Sequence, residues 1–175
     1  MCSSDLNSTR PTWTSPIAPA FGDVHVSLVE LRRGLGDRAG ALAAGRAAVD
    51  RFPDSADAWM LLAGACLTTF RQDEALAAYE RAITIEERPD ALTAAGALYA
   101  RAGRHADAAA RFARAHAAGG GPDALLANAR ALAAAGDRDA ADQALALWAA
   151  RAPDGALRLE EEQARLDRTS TERGR

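Results

Sequence analysis

Lysine is missing altogether: all 21 basic residues of this 175-residue chain are arginine. That bias reads as the coding habit of a GC-rich, bacterial-type genome, ahead of selection for bidentate anion binding. The arginines are interleaved with 24 acidic residues and the net charge is −3. Binding to nucleic acid by counterion release needs a concentrated basic face; none is visible, so no nucleic-acid partner is expected. Aromatic residues are few, at 5 %. The two cysteines, Cys2 and Cys66, are too few for a disulfide framework, and Cys66 reads as a small buried side chain rather than a reactive thiol. No apolar run reaches the ~18 residues of a membrane span. Residues 1–21 lack the apolar centre of a secretory signal. Membrane insertion is not expected, and the cytoplasm is the favoured compartment.

Catalytic and metal-binding patterns are also wanting. His25, His105 and His116 have no ligand spacing among themselves or with the cysteines. Gly119-Gly120-Gly121-Pro122 is not followed by Lys-Ser or Lys-Thr, so it is a slack connection and not a phosphate-binding loop. Glu160-Glu161-Glu162 reads as the solvated face of a helix. The serines lie mostly in the N-terminal tail, without a nucleophile elbow. No enzyme activity, metal or cofactor is expected.

What the chain has in quantity is alanine, roughly a quarter of all residues and the strongest helix former. Such side chains bury little area each, so helices must approach closely to gain dispersion contacts. This favours many short packed helices over one thick core. A helix-pair pattern recurs at residues 22, 56, 89 and 122, and a period of this size marks a repeat array. The clearest copy runs Trp59-Met60-Leu61-Leu62-Ala63-Gly64-Ala65-Cys66, then Ala75, Tyr79 and Ala82. The next has Leu92, Ala95, Gly96 and Tyr99, then Ala108, Phe112 and Ala115. Gly36-Asp37, Gly103-Arg104 and Gly136-Asp137 supply a helix-ending glycine, and Asp37 and Asp137 can cap the following helix. The second copy has Phe70-Arg71 in that place, which predicts a looser or differently shaped turn. Pro53-Asp54, Pro89-Asp90, Pro122-Asp123 and Pro153-Asp154 punctuate the copies, since proline suits the first turn of a helix and not its interior. Two outer slots depart from the pattern: Gly45 stands where an aromatic is expected, and Trp148 where a small residue is.

This order of large, small, aromatic and small slots resembles the tetratricopeptide repeat (TPR) family, over about residues 22–155. The resemblance implies an all-α, right-handed α-solenoid of helix pairs, with copies near 22–55, 56–88, 89–121 and 122–155. After them comes a capping helix over 156–168, with an apolar stripe of Ala156, Leu159, Gln163 and Leu166, and Arg158 and Glu160 to Glu162 facing elsewhere. Residues 169–175 read as frayed. It also implies an interaction scaffold whose partner is a protein or peptide, held by the first helices on an inner, concave face. By register that groove holds Val26 and Arg33 from the first copy, Met60, Gly64 and Leu67 from the second, Ala97 and Arg101 from the third, and Leu126 and Arg130 from the fourth. Met60 and Leu67 are either apolar anchors or internal packing. Arg33, Arg101 and Arg130 edge the groove and would pair with acidic flanks of the partner. The Lys and Asn clamp by which some relatives hold a chaperone carboxylate is absent: Val26, Glu30, Met60 and Gly64 stand at those sites. Self-association is a further expectation, because the edges of repeat arrays can stack.

Residues 1–21 read as a proline-containing tail or linker. Met1-Cys2-Ser3-Ser4-Asp5-Leu6 is what a sequencing-adapter end would encode, so a scar on a truncated gene stands beside an ordinary N-terminus as a reading of residues 1–6. Two other functions follow as alternatives: the C-terminal array of a larger enzyme, or a periplasmic client-holding module of cytochrome c assembly type.

Overall fold

A computed structural model describes residue 34 and residues 36–173, the side chains of 169–173 excepted. Eight helices follow one another without a strand among the described residues. They are α1 (Arg38–Arg51), α2 (Ala56–Thr68), α3 (Gln72–Ile85), α4 (Pro89–Arg101), α5 (His105–Ala117), α6 (Gly121–Ala135), α7 (Arg138–Arg151) and α8 (Gly155–Arg173). Each helix packs on the next in sequence, and α8 also reaches back to α6. The connections are too short to do anything but reverse the chain, so successive helices run antiparallel. The turns α2–α3, α4–α5 and α6–α7 therefore share one edge of the array.

Helix ends follow the chemistry of their residues. Asp37 accepts a hydrogen bond from the Gly40 N–H at 2.8 Å and Asp137 from that of Ala140 at 3.2 Å, satisfying donors that the helix start leaves unpaired. Pro89 and Pro122 occupy first-turn positions of α4 and α6. At the shared edge the N–H groups of Arg104 and Asp137 donate back to the carbonyls of Tyr99 and Leu132, at 2.9 and 3.0 Å. Gly103 and Gly136 take φ of +75° and +94° to make this possible. The α2–α3 turn closes the same way, Arg71 N–H to Cys66 carbonyl at 2.9 Å, with Phe70 forced to φ +61°. The shape expected to differ is thus kept, with strain in place of the glycine. For an L residue the left-handed region costs about 1–2 kcal/mol, while glycine adds about 0.5–1 kcal/mol of chain entropy to the unfolded state. Phe70→Gly should therefore leave stability unchanged or raise it by up to about 1 kcal/mol; a fall of several degrees in Tm would contradict this reading of the turn.

Small residues lie where the helices cross. Ala41, Ala75, Ala82, Ala108, Ala115 and Ala141 are fully buried, and Tyr79, Phe112, Leu145 and Trp148 fill the spaces between them. Gly45 departs from the aromatic pattern for a steric reason: a Cβ there would stand 3.0 Å from the Leu62 Cα. Cys66 lies 1 % exposed in the same layer, and burial, followed by the neighbouring Glu74 carboxylate, pushes its thiol pKa up. Because the thiolate is the nucleophile, iodoacetamide at neutral pH should leave Cys66 unmodified in the folded chain and modify it only in denaturant. Rapid labelling of a folded Cys2→Ser variant would contradict this placement.

Asp107 is spaced to pair with Arg111 at i,i+4, but the observed charge pairs are others. Arg111 instead binds Glu80 through two hydrogen bonds of 2.8 and 3.0 Å, and Asp107 pairs with Arg104. Arg46–Glu74, Arg88–Asp57 and Arg114–Glu87 likewise join residues about one copy apart. Much of the arginine is spent holding neighbouring copies in register. Each exposed pair contributes only about 0–1 kcal/mol.

The last helix differs from its expected face. Its inward stripe is Gly155, Leu159, Glu162 and Leu166, while Ala156 and Gln163 are exposed. The helix also continues to Arg173, through residues expected to fray. Gly155 sets the rotation: a Cβ at this position would fall 2.6 Å from the Ala149 backbone, so only glycine lets α8 come this close to α7. Glu162 is consequently 1 % exposed, in contrast to the solvated face expected of it.

Candidate functional site

The first helices of the copies, α2, α4 and α6, carry the residues expected to line the groove. Val26 and Arg33 lie outside the described residues, as do residues 1–21. On α2, Met60 and Leu67 are half-buried against the core cluster, and Gly64 has nothing within 4 Å of where a Cβ would stand. These three do not join the cleft described next.

Between α4 and α6 the chain forms an open cleft of about 390 Å³, lined by Ala97, Ala100 and Arg101 of α4, His105 and Phe112 of α5, and Ala127, Arg130, Ala131 and Ala134 of α6. Its origin is local. Ala127, Ala131 and Ala134 recur at helical spacing, so α6 turns a stripe with nothing longer than a methyl toward α4. Ala97 and Ala100 do the same from the other side. Phe112 forms the floor because Gly96 yields to it: a Cβ on Gly96 would meet the ring at 2.9 Å. Tyr99, Ala108 and Ala131 pack with Phe112 beneath the cleft.

Of the expected groove residues, Ala97, Arg101 and Arg130 line this one cleft. Leu126 is not part of the surface: it is buried with Leu125, Ala129 and Trp148, because its position on α6 faces α7 and α8. Arg130 lines the cleft but is not free to meet an incoming acid. Its guanidinium donates to Glu162 at 2.8, 2.8 and 3.2 Å, and Arg158 and Arg165 stand 3.7 and 3.8 Å from the same carboxylate. Arg101 is exposed and has no ion-pair partner among the described residues. Among the described residues, one unpaired cation therefore edges an apolar cleft, where two were expected from these copies.

The floor residue Phe112 and the alanines of α6 were not among the expected groove residues. Phe112 reads in sequence as a spacer between helices, and only the opposed Gly96 would have shown that its ring faces upward. The Ala127, Ala131, Ala134 stripe was legible by spacing, but alanine is so common here that it does not stand out. Among the described residues, no three His, Cys, Asp or Glu side chains are grouped to hold a metal ion, and no helix is long and apolar enough to cross a membrane.

Residues 27–91 match a family model described as tetratricopeptide repeat. Among solved structures, the crystal structure of MamA superposes with a TM-score of 0.66 at 16 % identity, covering 83 % of this chain and 93 % of that one. A thermophilic TPR protein of Thermus thermophilus, TTC0263, gives 0.62 at 23 % identity, covering 83 % of each chain. These likenesses speak for the fold. No curated protein sequence matches the chain.

Proposed function

Because this chain is a tetratricopeptide-repeat protein, an array that presents a curved surface to other polypeptides, we propose that it is a scaffold whose α4–α6 cleft docks a partner segment. The ligand it fits is a peptide, extended or helical, with one bulky apolar side chain and an acidic group three or four residues away. The apolar side chain seats over Phe112 and the alanines, and the acid meets Arg101. One observation supports this above the others: an alanine-walled opening of about 390 Å³ with, among the described residues, a single unpaired guanidinium at its rim. A preformed apolar pocket with few polar groups is the usual form of a ligand site, and the acid supplies orientation more than affinity.

The test uses labelled peptides that carry Phe, Leu or Ala at one position and Asp or Arg three residues on, titrated by fluorescence anisotropy. Affinity should fall from Phe to Leu to Ala and should be weaker with Arg than with Asp, the charge-dependent part fading with salt. Ala97 is exposed, so Ala97→Arg should fill the cleft, abolish binding and leave the thermal melt unchanged within about 0.5 kcal/mol. Equal binding by all peptides, or by the Ala97→Arg variant, would end the proposal.

A further inference from the structure

The chain carries on its own surface the kind of ligand that the cleft fits. Phe70 is the most exposed aromatic among the described residues, at 76 %. It stands at the tip of the α2–α3 turn with a left-handed φ of +61°, the helix-ending conformation that glycine takes in the two other turns of this edge. The Arg38 guanidinium lies 5.5 Å from its ring centroid, covering one face and leaving the rest in water. Three residues on is Asp73, in the first turn of α3, exposed and without an ion pair among the described residues. Its neighbours are already satisfied, since Glu74 holds both Arg46 and Arg71. The turn therefore offers one apolar side chain and, three residues on, one carboxylate without an ion pair among the described residues.

We infer that a second copy of this chain is a ligand of the cleft: Phe70 of one copy seats over Phe112 of the other, with Asp73 beside the other copy's Arg101. This inference rests on the docking role proposed above and names a partner for it. The volumes agree, for a cavity of roughly 150 Å³ already holds a benzene molecule and the cleft measures about 390 Å³. The placement agrees as well. Phe70 marks the α2–α3 turn, and the cleft is rimmed by Arg101 and His105, on either side of the α4–α5 turn. Alternation of helix direction puts both turns on the same edge of the array. Knob and hole on one edge can be exchanged by a two-fold axis between the turn edges, each copy giving its Phe70 and receiving its partner's. Such an isologous contact closes at two copies, whereas a knob and hole on opposite edges would continue into a filament. It also occupies the cleft, so dimer and peptide compete.

Sedimentation of the full chain from about 1 µM to about 1 mM, the range of weak association, tests the inference. A monomer–dimer equilibrium that stops at two is expected. Phe70→Gly and Ala97→Arg should each weaken it at least about tenfold with melting preserved. Asp73→Arg and Arg101→Asp should each weaken it, and the two together should restore it. A chain monomeric throughout, a dimer indifferent to these variants, or a double variant without rescue would overturn the inference. The Phe70→Gly variant separates this from the docking role, because it keeps an intact cleft. If it binds the Phe/Asp peptide while the parent chain never dimerises, only self-association falls. If neither dimer nor peptide binding occurs, both fall.

Discussion

Replacing Arg130 by alanine is expected to destabilise the chain by about 3 kcal/mol, more than any other single arginine replacement. The cause is Glu162, a carboxylate 1 % exposed that accepts hydrogen bonds of 2.8, 2.8 and 3.2 Å from Arg130. Removing the partner of a buried carboxylate leaves it uncompensated, at a cost of about 3–5 kcal/mol where both members are buried. The lower end applies because Arg158 and Arg165, at 3.7 and 3.8 Å, retain part of the attraction. Glu162→Leu should be much milder. It places an apolar side chain on a stripe that already has Leu159 and Leu166, and it leaves a guanidinium that is 42 % exposed free to turn to water. Urea titration gives the comparison, with a Tm fall of roughly 6–12 °C for Arg130→Ala in a chain of this size. An Arg130→Ala midpoint equal to that of the parent, or lower stability for Glu162→Leu than for Arg130→Ala, would show that α8 is not held in this way.

Restoring the family pattern at Gly45 is expected to do harm. Gly45→Phe should cost about 3 kcal/mol, the upper end for an overpacked site. What a Cβ would strike is the Leu62 Cα at 3.0 Å, part of the α2 backbone, which cannot rotate away as a side chain could. The ring would have to part α1 from α2, which lies in the core cluster with Ala41 and Ala63. The gain in helix propensity over glycine is about 0.3 kcal/mol for Phe, too little to offset this. Calorimetry of the variant decides: unchanged or raised stability would mean that the helices stand further apart at this crossing.

Much of the fold is open to reading because the chain writes its helix boundaries in residues with a local mechanism. Asp37 and Asp137 cap, Pro89 and Pro122 open helices, and Gly103 and Gly136 close them. Ala75, Ala82, Ala108 and Ala115 mark crossings by size alone. What escapes depends on neighbours a whole copy away. Glu80 with Arg111, and Arg130 with Glu162, are 31 and 32 residues apart, beyond the reach of spacing rules within one helix. The face of α8 is misread because Gly155, which sets its rotation, resembles an ordinary turn glycine. The register that sets Ala97, Arg101 and Arg130 along one cleft also assigns Leu126 to the groove, yet α6 meets two helices, α7 and α8, and the second covers part of that face. The cleft itself is the space left by alanines, and a sequence shows side chains more readily than their absence.

Amide chemical-shift mapping of the chain titrated with the Phe/Asp peptide tests the central claim most directly. Shifts confined to α4 and α6 around Ala97, Arg101, Ala127, Ala131 and Ala134, with the Phe112 ring protons moving in step, are the predicted result. Shifts centred on the outer helices α1 and α3, or none at peptide concentrations near the solubility limit, would contradict it.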